Sequence, residues 1–319
     1  MDQMTARRRV LVAGELNVDL VLQGYHQFPV PGREVLVDDF VMTLGSASAI
    51  CAMGLARLGT PVLFAGVVGA DLWGDYCVGV MREAGIDLAA VRRDPGVKTG
   101  VTVSITSPAD RALVTYLGSI AALAAEDVAG DVLARADHLH VSSYFLQSRL
   151  RPGCAGLLHR ATLAGLTTSL DPGCDPAGQW GPDLADTLRE VDVFLPNEVE
   201  LEGVTGISDP ERALRALENG RTLTVAKLGA RGAVLRSAGT TYRRLAFPVS
   251  PVDTTGAGDS FNAGFLHAWL EGRPVDEALA VAAACGALST QGLGGSGGQA
   301  TLEQAETLVR SWPGGGGGG

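Results

Sequence analysis

Short apolar runs alternate along this chain with stretches in which apolar residues return every three or four positions. Val10-Leu11-Val12-Ala13-Gly14 is the first such run, unbroken by a polar residue, as a strand buried on both faces requires. Residues 62–68, 138–142, 167–170, 191–195 and 223–227 are further strand-like runs, all but the first of them carrying polar residues. Helical spacing follows at 72–84, at 155–164 and from Asn197 onward, and returns at 278–288. This alternation predicts an α/β fold of three layers, a mostly parallel central sheet between two layers of helices.

A second pattern has period two. Glu15, Asn17 and Asp19 share one face of an extended segment while Leu16, Val18 and Leu20 share the other. Val101, Val103 and Ile105 alternate with Thr102, Ser104 and Thr106, the pattern breaks at Ser107-Pro108-Ala109-Asp110, and it resumes through Leu117. That is a hairpin signal. Segments 15–24, 34–44 and 99–118 together predict a small β-sheet lid with one polar face. On pattern alone they also fit edge strands of the main sheet.

Composition narrows the picture. With 319 residues and 46% apolar content, residues 1–313 can bury the core of a single domain. The hexaglycine Gly314 to Gly319 cannot pack and is expected to be a disordered tail. Net charge is −10 and Arg7-Arg8-Arg9 is the only basic run, which argues against nucleic acid as a partner. Affinity for phosphate must then come from backbone donors and metal. The five cysteines show no Cys-x-x-Cys pair and read as reduced thiols. Glu15, Asn17 and Asp19 interrupt the N-terminal apolar stretch too early for a secretion signal, and no apolar run reaches the roughly 18 residues of a membrane span. A cytoplasmic location is expected.

The densest chemistry lies in Asp253-Thr254-Thr255-Gly256-Ala257-Gly258-Asp259-Ser260-Phe261. Phe261, Phe265, Leu266, Trp269 and Leu270 recur at helical spacing, so the small residues Gly256, Ala257 and Gly258 sit at a helix N-terminus. Unpaired N–H groups and the positive end of the helix dipole meet there, and small side chains let an anion approach them. Asp259, beside that anion, could take a proton from an attacking hydroxyl. Asn197 and Glu200 lie three apart where a strand gives way to a helix, and share one helical face. A carboxylate there could hold hydrated Mg²⁺, or could simply favour the helix start. His138 and His140 share a strand face but lack a third ligand nearby, so they read as packed histidines. No Gly-x-x-x-x-Gly-Lys-Ser/Thr loop and no Gly-x-Gly-x-x-Gly fingerprint is present.

The string from Asp253 to Phe261 closely resembles the second signature of the ribokinase-like carbohydrate kinases, the PfkB family. The resemblance covers residues 9 to 312. It implies a ribokinase-like fold and ATP-dependent phosphorylation of a sugar or sugar-like alcohol. Asp259 would be the base, with Gly256, Ala257 and Gly258 as the anion hole. Asn197 and Glu200 resemble the family's metal and phosphate motif, with Glu200 reaching Mg²⁺ through water. Lys227, Gly229 and Gly232 resemble its nucleotide-contacting loop, with Thr255 also on the nucleotide side. Main chain near Asp253, Thr255 and Gly294, in the run from Gly292 to Gly298, matches the place of a possible K⁺ site. Gly14 to Asp19 resembles the substrate segment, which assigns Asn17 and Asp19 to the acceptor. Gly45 and Ser46 occupy the first signature, but Ser46 replaces its usual second Gly and Ile50 an Asn common in ribose-type members, so the acceptor cannot be transferred from the family. The lid's apolar face implies a homodimer. Arg33 and Arg111 are the few cations of the lid, which speaks against a phosphosugar. The alternatives are a nucleoside kinase of the same fold and a catalytically silent sugar or nucleotide sensor.

Overall fold

The structure is a computed structural model that describes residues 8–24, 27–106 and 111–312. Its strands are β1 (Val10–Ala13), β2 (Asn17–Gln23), β3 (Asp39–Leu44), β4 (Val62–Gly69), β5 (Asp87–Asp94), β6 (Gly100–Thr106) and β7 (Arg111–Tyr116). They continue as β8 (His138–Val141), β9 (Thr167–Leu170), β10 (Val193–Phe194), β11 (Leu223–Lys227), β12 (Ala233–Ser237) and β13 (Thr240–Arg244). The helices are α1 (Ala47–Arg57), α2 (Leu72–Glu83), α3 (Gly130–Leu133), α4 (Cys154–Leu163), α5 (Asp183–Leu188) and α6 (Glu198–Thr205). After them come α7 (Pro210–Ala216), α8 (Ala257–Leu270), α9 (Val275–Ser289), α10 (Gly294–Gly297) and α11 (Leu302–Ser311).

A nine-stranded sheet runs in the order β13-β12-β11-β10-β9-β8-β1-β4-β5. Strands from β11 through β5 pair in parallel, and at one edge the β11–β12 and β12–β13 pairings are antiparallel, so that β12 alone runs against the other strands of this sheet. Successive residues of β1 serve two cores. Val10 and Val12 pack with Phe64 and the helices α1, α2, α8 and α9, while Leu11 and Ala13 pack with Leu139, Val141 and α4. The apolar run at the N-terminus therefore has the physical cause expected of it, burial on both faces.

A second sheet, β3-β2-β6-β7, stands apart from the first, so these segments are not edge strands of the main sheet. Its Asp19 is opposite Thr43 of β3 and Thr102 of β6. β3 begins at Asp39, five residues later than the pattern from 34 suggested, and the break at 107–110 lies outside the described residues, as do 1–7 and the tail from 313. The run at 191–195 shortens to Val193–Phe194, and β5, β12 and β13 were not anticipated. Their pattern gives the reason: β5 and β13 are partly exposed edges with mixed polarity, without the continuous apolar signal of a buried strand.

Asp71 fastens the small sheet to the large one. Its Oδ1 accepts from Gly74 N–H and the Thr99 hydroxyl, and its Oδ2 accepts from Thr99 N–H, at the entry to β6. Thr99 Oγ1 in turn accepts from Gly69 N–H at the end of β4. The five cysteines are free, with Cys174 alone exposed. Among the described residues no helix is long and apolar enough to cross a membrane.

Candidate active site

The parallel strands deliver their polar residues to one edge of the sheet, at the C-terminal ends where ligands gather in open α/β folds. Gly14 to Leu16 follow β1, Ser142 follows β8, Asp171 follows β9, Asn197 follows β10 and Lys227 closes β11. Above this edge stands the N-terminus of α8. Its N-cap is Gly256 at φ 71°, and no side chain caps it. Helices α1, α2, α6, α7 and α11 are all capped by a Ser, Asp, Asn or Thr side chain. Only glycine takes that left-handed backbone without strain, and a Cβ on Gly256 would come within 2.6 Å of the Gly295 backbone. The lack of a side-chain cap is shared with α3, α4, α5, α9 and α10; what distinguishes this turn is the left-handed glycine at its cap followed by the small residues Ala257 and Gly258, which leave the helix end approachable.

Asp259 lies in the first turn of α8. Part of its surface is open to solvent, yet enough protein surrounds the carboxyl that burial, reinforced by the charge of Asp171, pushes its pKa well above the usual carboxylate range. Lys227 acts in the opposite direction, and the charges of Glu15 and Glu200 reach Asp259 as well. Four carboxylates and one ammonium therefore share this edge.

Asp171 is the member of the group that the sequence reading did not single out. It is buried; its Oδ2 accepts from Lys227 Nζ at 2.6 Å and from Asn262 Nδ2 at 2.5 Å, and its Oδ1 accepts from Gly173 N–H at 2.9 Å. Burial works to raise its pKa, but the Lys227 charge and these hydrogen bonds outweigh it and hold it below the normal value. The available signal was an acid placed immediately after a buried strand. Asn262 was legible as the residue one turn beyond Asp259 on the same helical face. Glu15 was noticed only as a face-sharing polar residue; its carboxylate accepts from Ser48 Oγ at 2.5 Å and from Ser48 N–H at 3.3 Å.

Asn197 and Glu200 form a reciprocal cap on α6. Asn197 N–H donates to Glu200 Oε2 at 2.8 Å, Asn197 Nδ2 donates to Oε1 at 2.6 Å, and Glu200 N–H donates to Asn197 Oδ1 at 2.9 Å. Both carboxylate oxygens keep lone pairs beyond these bonds. Burial first, then Asp171, pushes the Glu200 pKa up to about 7. Among the described residues no three His, Cys, Asp or Glu side chains converge into a direct metal cage. An excess of carboxylate over ammonium, with Glu200 poised behind a cap, fits a hydrated dication better than a caged one.

On the other side, Asn17 Nδ2 donates to Asp19 Oδ1 at 3.0 Å, and Gly45 packs directly over both side chains, leaving no room for a Cβ. Gly45 N–H donates to Asn17 O. Ser46 sits at φ 79°, the left-handed region where the signature has Gly, and its hydroxyl is engaged by the main chain, donating to Glu15 O and accepting from Ala49 N–H. Ile50 is buried against Gly295. Gly229 and Gly232 turn the β11–β12 hairpin at φ 57° and 93°, and a Cβ on Gly232 would overlap the Arg244 carbonyl. Lys227 does not follow them into that turn; its ammonium points back toward α8. Asp253 joins two loops, its Oδ1 accepting from Thr255 N–H and its Oδ2 from Gly294 N–H, both at 2.9 Å.

His138 and His140 are fully buried and hydrogen-bonded in a row with Thr167, Ser169 and Ser142. Burial holds both below the ordinary histidine range, His140 at about 4. They are core residues, as the lack of a third ligand implied.

Comparison with known proteins decides the family. Residues 7–302 match the pfkB family of carbohydrate kinases. The chain belongs to that family. It is an ATP-dependent carbohydrate kinase with a ribokinase-like fold. It is 32% identical over 285 residues to an ATP-dependent ribose-1-phosphate kinase of Halopiger xanaduensis, covering 88% of this chain and 91% of that one. It is 28% identical over 294 residues to a ribokinase of Haemophilus influenzae, covering 89% and 92%. A putative ribokinase II from E. coli, solved in complex with ATP and Mg²⁺, superposes with a TM-score of 0.84 at 26% identity, over 95% of this chain and 99% of that one.

Proposed function

We propose that this kinase transfers the γ-phosphoryl group of ATP in line to a hydroxyl of a sugar or sugar-like alcohol, with Asp259 as general base. The observation that carries this reading is the uncapped N-terminus of α8, which presents backbone donors and a carboxylate on one turn. The acceptor hydroxyl gives its proton to Asp259 as its oxygen bonds to the γ-phosphorus. The bond from that phosphorus to the bridging oxygen breaks, and ADP keeps the electron pair. N–H groups of Gly256, Ala257 and Gly258 face the charge on the transferring group. Mg²⁺, when bound, would neutralise phosphate charge, and Glu200 would hold it through water. Asn197, Lys227, Gly229, Gly232 and Thr255 would serve the nucleotide, and Asn17, Asp19, Gly45 and Ser46 the acceptor segment. The small sheet would act as a lid that excludes water from the transfer.

The acceptor is identified by following ATP consumption across a panel of sugars, polyols, nucleosides and ribose 1-phosphate, the last because of the Halopiger relative. Arg33, exposed between β2 and β3, gives a phosphosugar little support, and the Arg111 side chain lies outside the described residues. A panel with no acceptor at all would return the chain to a silent sensor.

Glu200→Gln should raise the Mg²⁺ concentration needed for half-maximal rate about 10- to 100-fold, the usual cost at a supporting metal position. An unchanged Mg²⁺ titration leaves Glu200 as a helix cap only. The same variant has a stability signature. Because the folded pKa of about 7 lies above the ordinary glutamate value of 4.5, wild-type stability falls as pH rises through that window, and the neutral glutamine removes that slope.

Asp253, Thr255 and Gly294 would flank a K⁺ site, since Asp253 already ties the anion-hole loop to α10. Rates at constant ionic strength should be higher in K⁺ than in a large organic cation; equal rates remove the cation. Exposed Phe40, Leu113, Val114 and Tyr116 on the small sheet support a homodimer through it, which light scattering on the purified chain reads directly.

A further inference from the structure

The charge of Lys227 reaches Asp171, Glu200 and Asp259 alike. Its ammonium lies 2.6 Å from Asp171 Oδ2 and 3.2 Å from Asn262 Oδ1. A lysine ammonium has three donors, so these two partners leave one. Nζ is also 3.6 Å from the position a Cβ would take on Gly258, in the first turn of α8. The absence of a side chain there keeps open the space between the ammonium and the uncapped helix end. Asp171 is itself fixed, held by Gly173 N–H and by Asn262 Nδ2.

A buried ion pair contributes little net stability, because desolvating both charges offsets their attraction. A fully oriented pair under the phosphoryl-binding turn therefore calls for another explanation. We propose that Lys227 is a catalytic residue that donates a hydrogen bond to a non-bridging oxygen of the transferring phosphoryl group beside Gly258, and that Asp171, with Asn262, is the positioning pair that aims it. This rests on the phosphoryl-transfer reading above. The acceptor proton still goes to Asp259 and the electron pair of the broken P–O bond still stays on ADP. Lys227 keeps its own proton throughout: burial works to strip it, but Asp171 and Glu200 outweigh that and hold its pKa above normal. Its part is a fixed positive charge already in place when negative charge shifts onto the equatorial oxygens.

The test uses the full chain with an acceptor taken from the panel, and compares Lys227→Met, Asp171→Asn and the double variant. Lys227→Met should lower kcat roughly 10- to 100-fold, the loss of one charge-assisted hydrogen bond that strengthens as the phosphoryl group transfers, and should weaken binding of a non-hydrolysable ATP analogue by a smaller factor than it lowers kcat. Asp171→Asn should lower kcat in the same direction. In the double variant kcat should stay at the Lys227→Met level, since Asp171 acts only through the lysine, while the melting temperature recovers because no unpaired buried charge remains. A kcat for Lys227→Met within about threefold of wild type overturns the proposal. So does a double variant whose kcat recovers together with its melting temperature, which would make the pair structural. If Lys227→Met does not fold, the double variant decides by the same kcat criterion. Failure of the underlying reading looks different: wild type itself would phosphorylate nothing on the panel.

Discussion

Asp259→Asn should fold and bind ATP but transfer phosphate about 10²–10⁴-fold more slowly, the usual loss of a general base. The amide keeps the shape of the carboxyl and cannot accept the hydroxyl proton. Burial and Asp171 both disfavour the charged form of Asp259, so in wild type the base must be ionised against its surroundings. Activity should therefore decline as pH falls through a pKa that lies above the ordinary carboxylate range. The sign for stability is opposite. A proton held more tightly in the folded than in the unfolded chain makes stability fall as pH rises between the two pKa values. Asparagine avoids that loss, so the melting temperature of the variant at neutral pH should be no lower than wild type. This separates lost chemistry from lost fold. A variant with more than about a tenth of wild-type turnover, with transfer rate-limiting, would remove Asp259 from the base role.

Asp19→Ala should damage use of the acceptor far more than binding of ATP. Asp19 sits on β2 in the small sheet, braced by Asn17 Nδ2 and covered by Gly45, on a different sheet from Asn197, Lys227 and the β11–β12 turn. Loss of a charged acceptor of hydrogen bonds from neutral hydroxyls should cost about 1.5–3 kcal/mol, or roughly 10- to 150-fold in acceptor kcat/KM. Acceptor and ATP titrations on both proteins, with melting curves to confirm folding, measure it. If acceptor kcat/KM stays within about twofold while ATP affinity falls, Asp19 belongs to the nucleotide side or to the scaffold, and the acceptor assignment of β2 goes with it.

Local pattern determined a large share of this protein. A strand buried on both faces must be apolar throughout, so β1 and β4 were legible in the sequence, and the parallel α/β class followed from the alternation of strand-like runs with helices. The Gly256-Ala257-Gly258-Asp259 turn was legible because backbone conformation, small side chains and the proposed base lie within one helical turn. So was the Asn197–Glu200 pair, for the same reason of short separation. Tertiary structure alone decided what depends on residues far apart in the chain. Asp171 and Lys227 are 56 positions apart and Asp171 and Asn262 are 91 apart, and they meet only because β9 and β11 end at the same edge of the sheet beneath α8. The fastening of the small sheet through Asp71 and Thr99 and the exposed edge strands β5 and β13 were likewise decided there, since their residues are ordinary taken singly and acquire meaning from their neighbours in space. Sequence patterns report the burial of a segment and the chemistry of a turn, but the field around Asp259 is a sum over several distant strands.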